Sequence, residues 1–212
     1  MKIILLLFLA ALADTAFAQG QNDPQAIRVL DSFSSNASKA PSVSIVFRMI
    51  SADLAENRSD TLDGYIILSR DKYKLNLGEN TVWNNGETIW NYLSAEKEVT
   101  ITRPDKKDHS FQNRPSEIFS MYKSGYKSSL IDDRSDAYII DLYPEDIKND
   151  LLRVRLIINR ADLKLISLEY KSREGLVITL QISEYNLKQK PDPDTFVFQP
   201  EKYKGAEIND MR

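Results

Sequence analysis

Trp83-Asn84-Asn85-Gly86-Glu87-Thr88-Ile89-Trp90-Asn91-Tyr92 decides how the chain is read. Asn85-Gly86 offers two residue types that tolerate positive φ, so the stretch predicts a strand, a two-residue hairpin turn and a second strand. From Thr88 to Leu93 the residues alternate, with Trp90 and Tyr92 on one face and Ile89, Asn91 and Leu93 on the other. Alternation of period two marks a sheet with two unlike faces.

Outward from this hairpin the same period recurs. Expected strands run Val43 to Ile50, Leu62 to Arg70, Lys72 to Leu77, Asn80 to Asn84 and Glu98 to Thr102. After a charged stretch, Arg103 to Arg114, they resume at Tyr126 to Ile131, Ala137 to Tyr143, Leu152 to Ile158, Leu163 to Lys171 and Leu176 to Tyr185. Thr195 to Phe198 reads as a last edge strand, reached through the proline-bearing connection Lys188 to Asp194. Helices are few. Asp23-Pro24 predicts an N-cap with proline at the first helical position, followed by Ala26, Val29, Leu30, Phe33 and Ala37 at helical spacing. Pro115 to Lys123 predicts a short second helix, stopped near Gly125. About ten antiparallel strands with short turns imply an α+β fold: one large curved sheet, apolar on one face and polar on the other. So wide a sheet twists and curls. Two helices cover only part of its concave face, which leaves either a ligand cavity under a helical lid or a plain core.

The N-terminus reads as a targeting signal. Met1-Lys2 is followed by the apolar run Ile3 to Leu12 and by Ala16-Phe17-Ala18, an A-x-A site. The run is short of the about 20 residues a spanning helix needs. Cleavage after Ala18 is expected, leaving residues 19–212 as a single exported domain in a periplasm or extracellular space. The chain has no cysteine, so its core alone must stabilise it. A net charge of −3 lacks the basic excess of a nucleic-acid binder.

No catalytic or metal signature stands out. His109 is the only histidine and lies in the charged loop Lys106-Lys107-Asp108-His109. Asp132-Asp133-Arg134-Ser135-Asp136 clusters carboxylates but lacks EF-hand spacing, so a solvated turn is expected rather than a calcium site. G-x-S-x-G, H-E-x-x-H and phosphate-binding glycine loops are missing. Trp83, Trp90, Tyr92 and Tyr65 are expected to serve sheet packing rather than sugar stacking. The expectation is a protein without catalytic residues, metal or cofactor.

Several stretches together resemble the periplasmic outer-membrane lipoprotein carrier family, the LolA-like proteins. Ala26-Ile27-x-x-Leu30-Asp31 is similar to the family's opening helix. Gly64 to Leu75 resembles its early strand pair. Asn85-Gly86-Glu87-Thr88-Ile89-Trp90-Asn91-Tyr92 resembles its D-G-K-x-(L/I)-W-x-Y hairpin. Phe196-Val197-Phe198-Gln199-Pro200 with Gly205-Ala206-Glu207-Ile208 is similar to its closing motif. The resemblance implies a half-barrel under a helical lid, sheltering lipoprotein acyl chains on their way from inner to outer membrane. An acyl-chain cavity would then be lined by Phe47, Met49, Ile67, Leu75, Trp90 and Tyr92, with Phe119 and Met121 on the lid. The family's lid latch is a basic residue on the early strand, with an aromatic four residues later near the mouth. Matching the arginine selects Arg70 and puts Lys74 in the aromatic's place; matching the aromatic selects Tyr73 and puts Ser69 in the arginine's place. The family's proline is replaced by Asp71 or Arg70. Implied partners are acylated lipoproteins, an inner-membrane transporter and an outer-membrane acceptor, with the carrier a monomer. The same fold also suits a sensor or adaptor module that binds a protein or peptide, and a hydrolase is the third reading.

Overall fold

A computed structural model describes residues 22–105 and 114–212. The expected signal peptide, its cleavage site and His109 lie outside the described residues. One α-helix, α1 (Pro24–Lys39), precedes β1 (Val43–Asp53), β2 (Arg58–Ser69), β3 (Lys72–Leu77), β4 (Asn80–Asn84), β5 (Ile89–Leu93) and β6 (Glu98–Thr102). Two 3-10 turns, Pro115–Phe119 and Met121–Lys123, lead to β7 (Tyr126–Asp133), β8 (Ala137–Pro144), β9 (Leu151–Asn159), β10 (Leu165–Ser172) and β11 (Leu176–Asn186). The chain ends through two more 3-10 turns, Pro193–Phe196 and Pro200–Lys202, and β12 (Glu207–Asp210).

All twelve strands form one open sheet, ordered β12-β6-β5-β4-β3-β2-β1-β11-β10-β9-β8-β7. Two meanders, β1 to β6 and β7 to β11, are fused where β1 pairs with β11. A bulge at Val46/Phe47 interrupts that central pairing, and such bulges bend a strand and increase its twist.

The helix begins as its sequence dictates. Asp23 Oδ1 accepts from the Gln25 and Ala26 amides at 2.8 and 3.3 Å, satisfying donors that a helix start leaves open. Asp23 Oδ2 also accepts from the Leu130 amide at 3.2 Å, and the Asp23 amide donates to Ser128 O at 2.9 Å. One capping residue therefore also covers part of the outer edge of β7. Ala26, Val29, Leu30, Phe33 and Ala37 are buried against the sheet. The helix stops before Pro41, whose ring disfavours helical backbone in the preceding residue.

Three expectations need correction. The Asn-Gly turn is a four-residue loop, because Asn84 pairs with Ile89. Only Gly86 takes positive φ, at 93°. Asn85 instead accepts from the Glu87 and Thr88 amides through its side chain, an Asx turn that replaces the tight hairpin. The second helix is a pair of 3-10 turns. The last strand is Glu207–Asp210, parallel to β6, while Phe196 and Phe198 are buried in the segment that leads to it.

That segment changes the picture of an apolar and a polar face. After β11 the chain passes Ser42 and Tyr65, which bond to Gln189. It then packs Phe198 and Tyr203 against Trp83, with ring centroids 5.4 Å apart in both pairs. Trp83, Val99, Ile101 and Phe198 form a second core, with Trp90 and Tyr92 at its margin. The sheet thus has an apolar cluster on each face, one under α1 and one under the C-terminal segment.

Candidate functional site: the helix-covered face of the sheet

Register assigns each side chain to a face, because successive residues of a strand point to opposite sides. One cross-strand row runs Ile45, Ile66, Leu75, Val82, Asn91, and the next runs Phe47, Gly64, Leu77, Asn80, Leu93. Both rows belong to the α1 side, where Ile45, Phe47 and Ile66 join Leu30, Phe33, Ile140, Leu156 and Leu168 in the main core. Met49, Leu75, Leu77, Val82, Phe119, Met121 and Ile178 pack on it half-buried.

Gly64 makes room for the central ring. A Cβ at this position would come within 2.4 Å of Phe47 Cζ, so the tip of the ring occupies the space a side chain would take. Glycine is required here for close approach, not for an unusual φ.

The covering layer is α1 together with the 3-10 turns. Phe33 on α1 meets Phe119 with ring centroids 5.2 Å apart. The buried Tyr122 donates its hydroxyl to Asp31 Oδ1 at 2.6 Å. Burial, reinforced by the adjacent carboxylate, pushes the Tyr122 hydroxyl up to about 12. This bond ties the turns to the helix. In this conformation the layer fills the face above Phe47 and Leu168. Two open concavities, of about 570 and 600 Å³, lie at opposite ends of the sheet and are lined mostly by polar groups, among them Arg28 and Arg160 in one and Asp53 and Arg58 in the other.

Of the residues expected to line an acyl-chain cavity, Phe47, Met49, Leu75, Phe119 and Met121 come together on this face. Ile67, Trp90 and Tyr92 do not. Ile67 pairs with Lys74 between Ile66 and Leu68, so it points to the opposite side. Trp90 opposes Trp83 and Tyr92 opposes Thr81, again on the opposite side. Ring contact with Tyr203 at 4.7 Å places Tyr92 under the C-terminal segment. Aromatic alternation identified a buried face here but not which one. Arg70 stands exposed in the β2–β3 turn with φ of 55° and, among the described residues, forms no ion pair. Tyr73 is buried on the α1 side, and its hydroxyl is pushed up by burial while bonding to Asn84. The observed tie between helix and lid turns is Asp31–Tyr122 rather than a bond from Arg70.

Sequence reasoning also missed a polar wing on this face. Asn80 and Asn91 sit on β4 and β5 as diagonal neighbours. Their Oδ1 atoms are buried without a hydrogen-bond partner, which costs about 1–3 kcal/mol for each such group. In the acidic cluster at the β7–β8 turn, Asp132 pairs with Arg134 and Asp133 with Arg160.

No curated protein sequence matches the chain. Among solved structures, the fold is similar to that of an uncharacterized conserved protein from Thermus thermophilus. That match covers 88% of this chain and 99% of the other, with a TM-score of 0.59 at 12% identity. A putative outer membrane lipoprotein-sorting protein domain from Vibrio parahaemolyticus matches 82% of this chain and 96% of its own, with a TM-score of 0.46 at 12% identity. A LolA superfamily protein from Nitrosomonas europaea matches 82% of this chain and 97% of its own, with a TM-score of 0.42 at 13% identity. At such identities the first likeness shows fold and nothing finer. Residues 15–176 match the family described as "Outer membrane lipoprotein carrier protein LolA", and on that match the chain belongs to this family of carrier and binding proteins.

Proposed function

We propose that the protein is a periplasmic, non-enzymatic carrier that shelters the acyl chains of lipoproteins between the sheet and the layer of α1 and the 3-10 turns. The supporting observation is how that layer is attached. Polar bonds from Asp23 and Gln25 pin the start of α1 to β7; beyond that end the layer rests on the sheet through apolar contacts, and Asp31–Tyr122 ties its two parts together. Apolar contacts are non-directional, so acyl chains can replace them with little loss. Each methylene sheltered contributes about 0.8 kcal/mol. Lifting the layer would lower affinity without rebuilding the sheet, which a carrier that must also release its cargo requires. Phe47, Met49, Leu75, Phe119 and Met121 would line the opened space. An inner-membrane transporter would load it and an outer-membrane acceptor would unload it.

The test is mass spectrometry of residues 19–212 purified from a periplasm without detergent. Acylated peptide or lipoprotein near one-to-one, lost in Phe119→Glu, is expected. An empty protein that also takes up no acyl probe would overturn the reading.

A second reading, a module that binds a polypeptide on the same face, has one observation in its favour. The unpartnered Asn80 and Asn91 oxygens suit amide N–H donors, which an acyl chain lacks.

A further inference from the structure

Exposed large apolar side chains gather at one end of the sheet. Antiparallel order puts the β1–β2, β8–β9 and β10–β11 turns together there. Ile147, at the tip of the β8–β9 turn, is 83% exposed, and Leu54, in the β1–β2 turn, is 60% exposed. Leu152 and Leu176, at the adjoining strand starts, are 40% and 39% exposed.

These turns are braced to each other. The Leu54 amide donates to Gly175 O at 3.1 Å. The Arg173 amide donates to Asp150 O at 2.9 Å, and its Nε donates to Asn149 O at 2.9 Å. Three turns, distant in sequence, therefore form one platform with its apolar groups held outward. Isolated exposed leucines are ordinary, but several held on one braced group of turns are what interaction surfaces present. Fixing the turns beforehand also reduces the entropy lost on binding.

Charge narrows the occupant. The same turns carry Glu145, Asp146, Asp150 and Glu174, and among the described residues none of the four forms a salt bridge; only Lys148 and Arg173 oppose them within these turns. Glu56 is already paired with Arg58. At the other end of the sheet, the turns spanning 70–71, 85–88, 134–136 and 160–164 carry four acidic and four basic residues. The acidic excess is thus local to the platform. It disfavours a second copy of this chain, whose platform has the same sign, and an anionic lipid surface.

We propose that this platform is a docking surface for a partner protein that presents an apolar patch bordered by lysine or arginine. Leu54, Ile147 and Leu176 would enter the patch, and Glu145, Asp146 and Glu174 would meet the basic border. Such borders raise association rate and orient the encounter, while the apolar centre supplies most of the affinity. The inference needs no bound lipid and stands apart from the carrier reading.

The test titrates residues 19–212 with a synthetic amphipathic helix of leucine and lysine, and with a leucine–glutamate helix as control. The leucine–lysine helix should bind and the control should not. Leu54→Ser with Ile147→Ser, and separately Glu145→Lys with Glu174→Lys, should each weaken binding about tenfold or more. Ile131→Ser and Asp71→Lys, away from the platform, should change it less than about twofold. Acyl-probe uptake should be unchanged in every variant, which separates a failure here from a failure of the carrier reading. Unchanged binding in the platform variants, equal binding of the control helix, platform-dependent binding to phosphatidylglycerol vesicles, or platform-dependent self-association would each overturn the proposal.

Discussion

The Tyr122 hydroxyl lies 2.6 Å from Asp31 Oδ1 and joins two residues 91 positions apart in sequence. It links α1 to the 3-10 turns beside it. Tyr122→Phe removes the donor while keeping the ring, so it should cost about 1.5 kcal/mol in denaturant unfolding. Amide exchange should quicken at 115–123 while the central strands keep their protection.

The same pair predicts an alkaline response. The hydroxyl titrates near its ordinary 10 in the unfolded chain and at about 12 in the fold. Its contribution is complete below pH 10 and is lost as pH rises towards 12. In Tyr122→Phe the stability difference between pH 9 and pH 12 should shrink; an undiminished difference would assign the loss to other tyrosines.

Gly64→Ala drives a methyl into the Phe47 ring. Phe47 is only 5% exposed, so its ring has little room to swing aside. Overpacking of this kind costs about 1–3 kcal/mol. Pairing the change with Phe47→Leu should cost less than the sum of the two single changes, read from a double-mutant cycle. Strict additivity would show that the ring yields freely.

Trp83 belongs to the C-terminal cluster, on the side away from α1. Trp83→Ala should destabilise by about 3–5 kcal/mol. Trp90→Ala should leave acyl-probe affinity unchanged, whereas Leu75→Glu should abolish uptake. Loss of uptake on changing Trp90 would contradict the face assigned by register.

On the same outer face, Asp141 is fully buried. Arg155 bonds it at 2.7 and 2.8 Å, Tyr143 at 3.0 Å and Arg153 at 3.4 Å. Burial alone would raise this carboxyl, but the two guanidinium groups and the phenol hold it below the usual carboxylate range. Its depressed pKa adds stability that is present above about pH 3.9 and is lost as the pH falls below that value. Asp141→Ala leaves Arg155 without its carboxylate, while Arg153 keeps Glu169, and should cost about 3 kcal/mol at neutral pH. The variant should also lose part of the wild type's acid sensitivity between pH 4 and pH 2.

The local pattern determined a great deal on its own. Asp23-Pro24 set the helix start, and the two-residue period located β1 to β11 to within a few residues, because propensity, capping and alternation act over short distances. The closing strand was misplaced because aromatics in Phe196-Val197-Phe198 mimic an edge strand, while the real one, Glu207–Asp210, is short, charged and exposed along its length. Alternation separates two sets of side chains without saying which set faces the helix. That choice needed the cross-strand register, which put Leu75 under α1 and Ile67, Trp90 and Tyr92 on the far side. Asp31 and Tyr122, the bare floor at Gly64 and the braced turns around Leu54 and Ile147 depend on contacts between distant segments. No short-range pattern encodes them; they exist once the two meanders meet at β1 and β11 and the covering layer settles on the sheet.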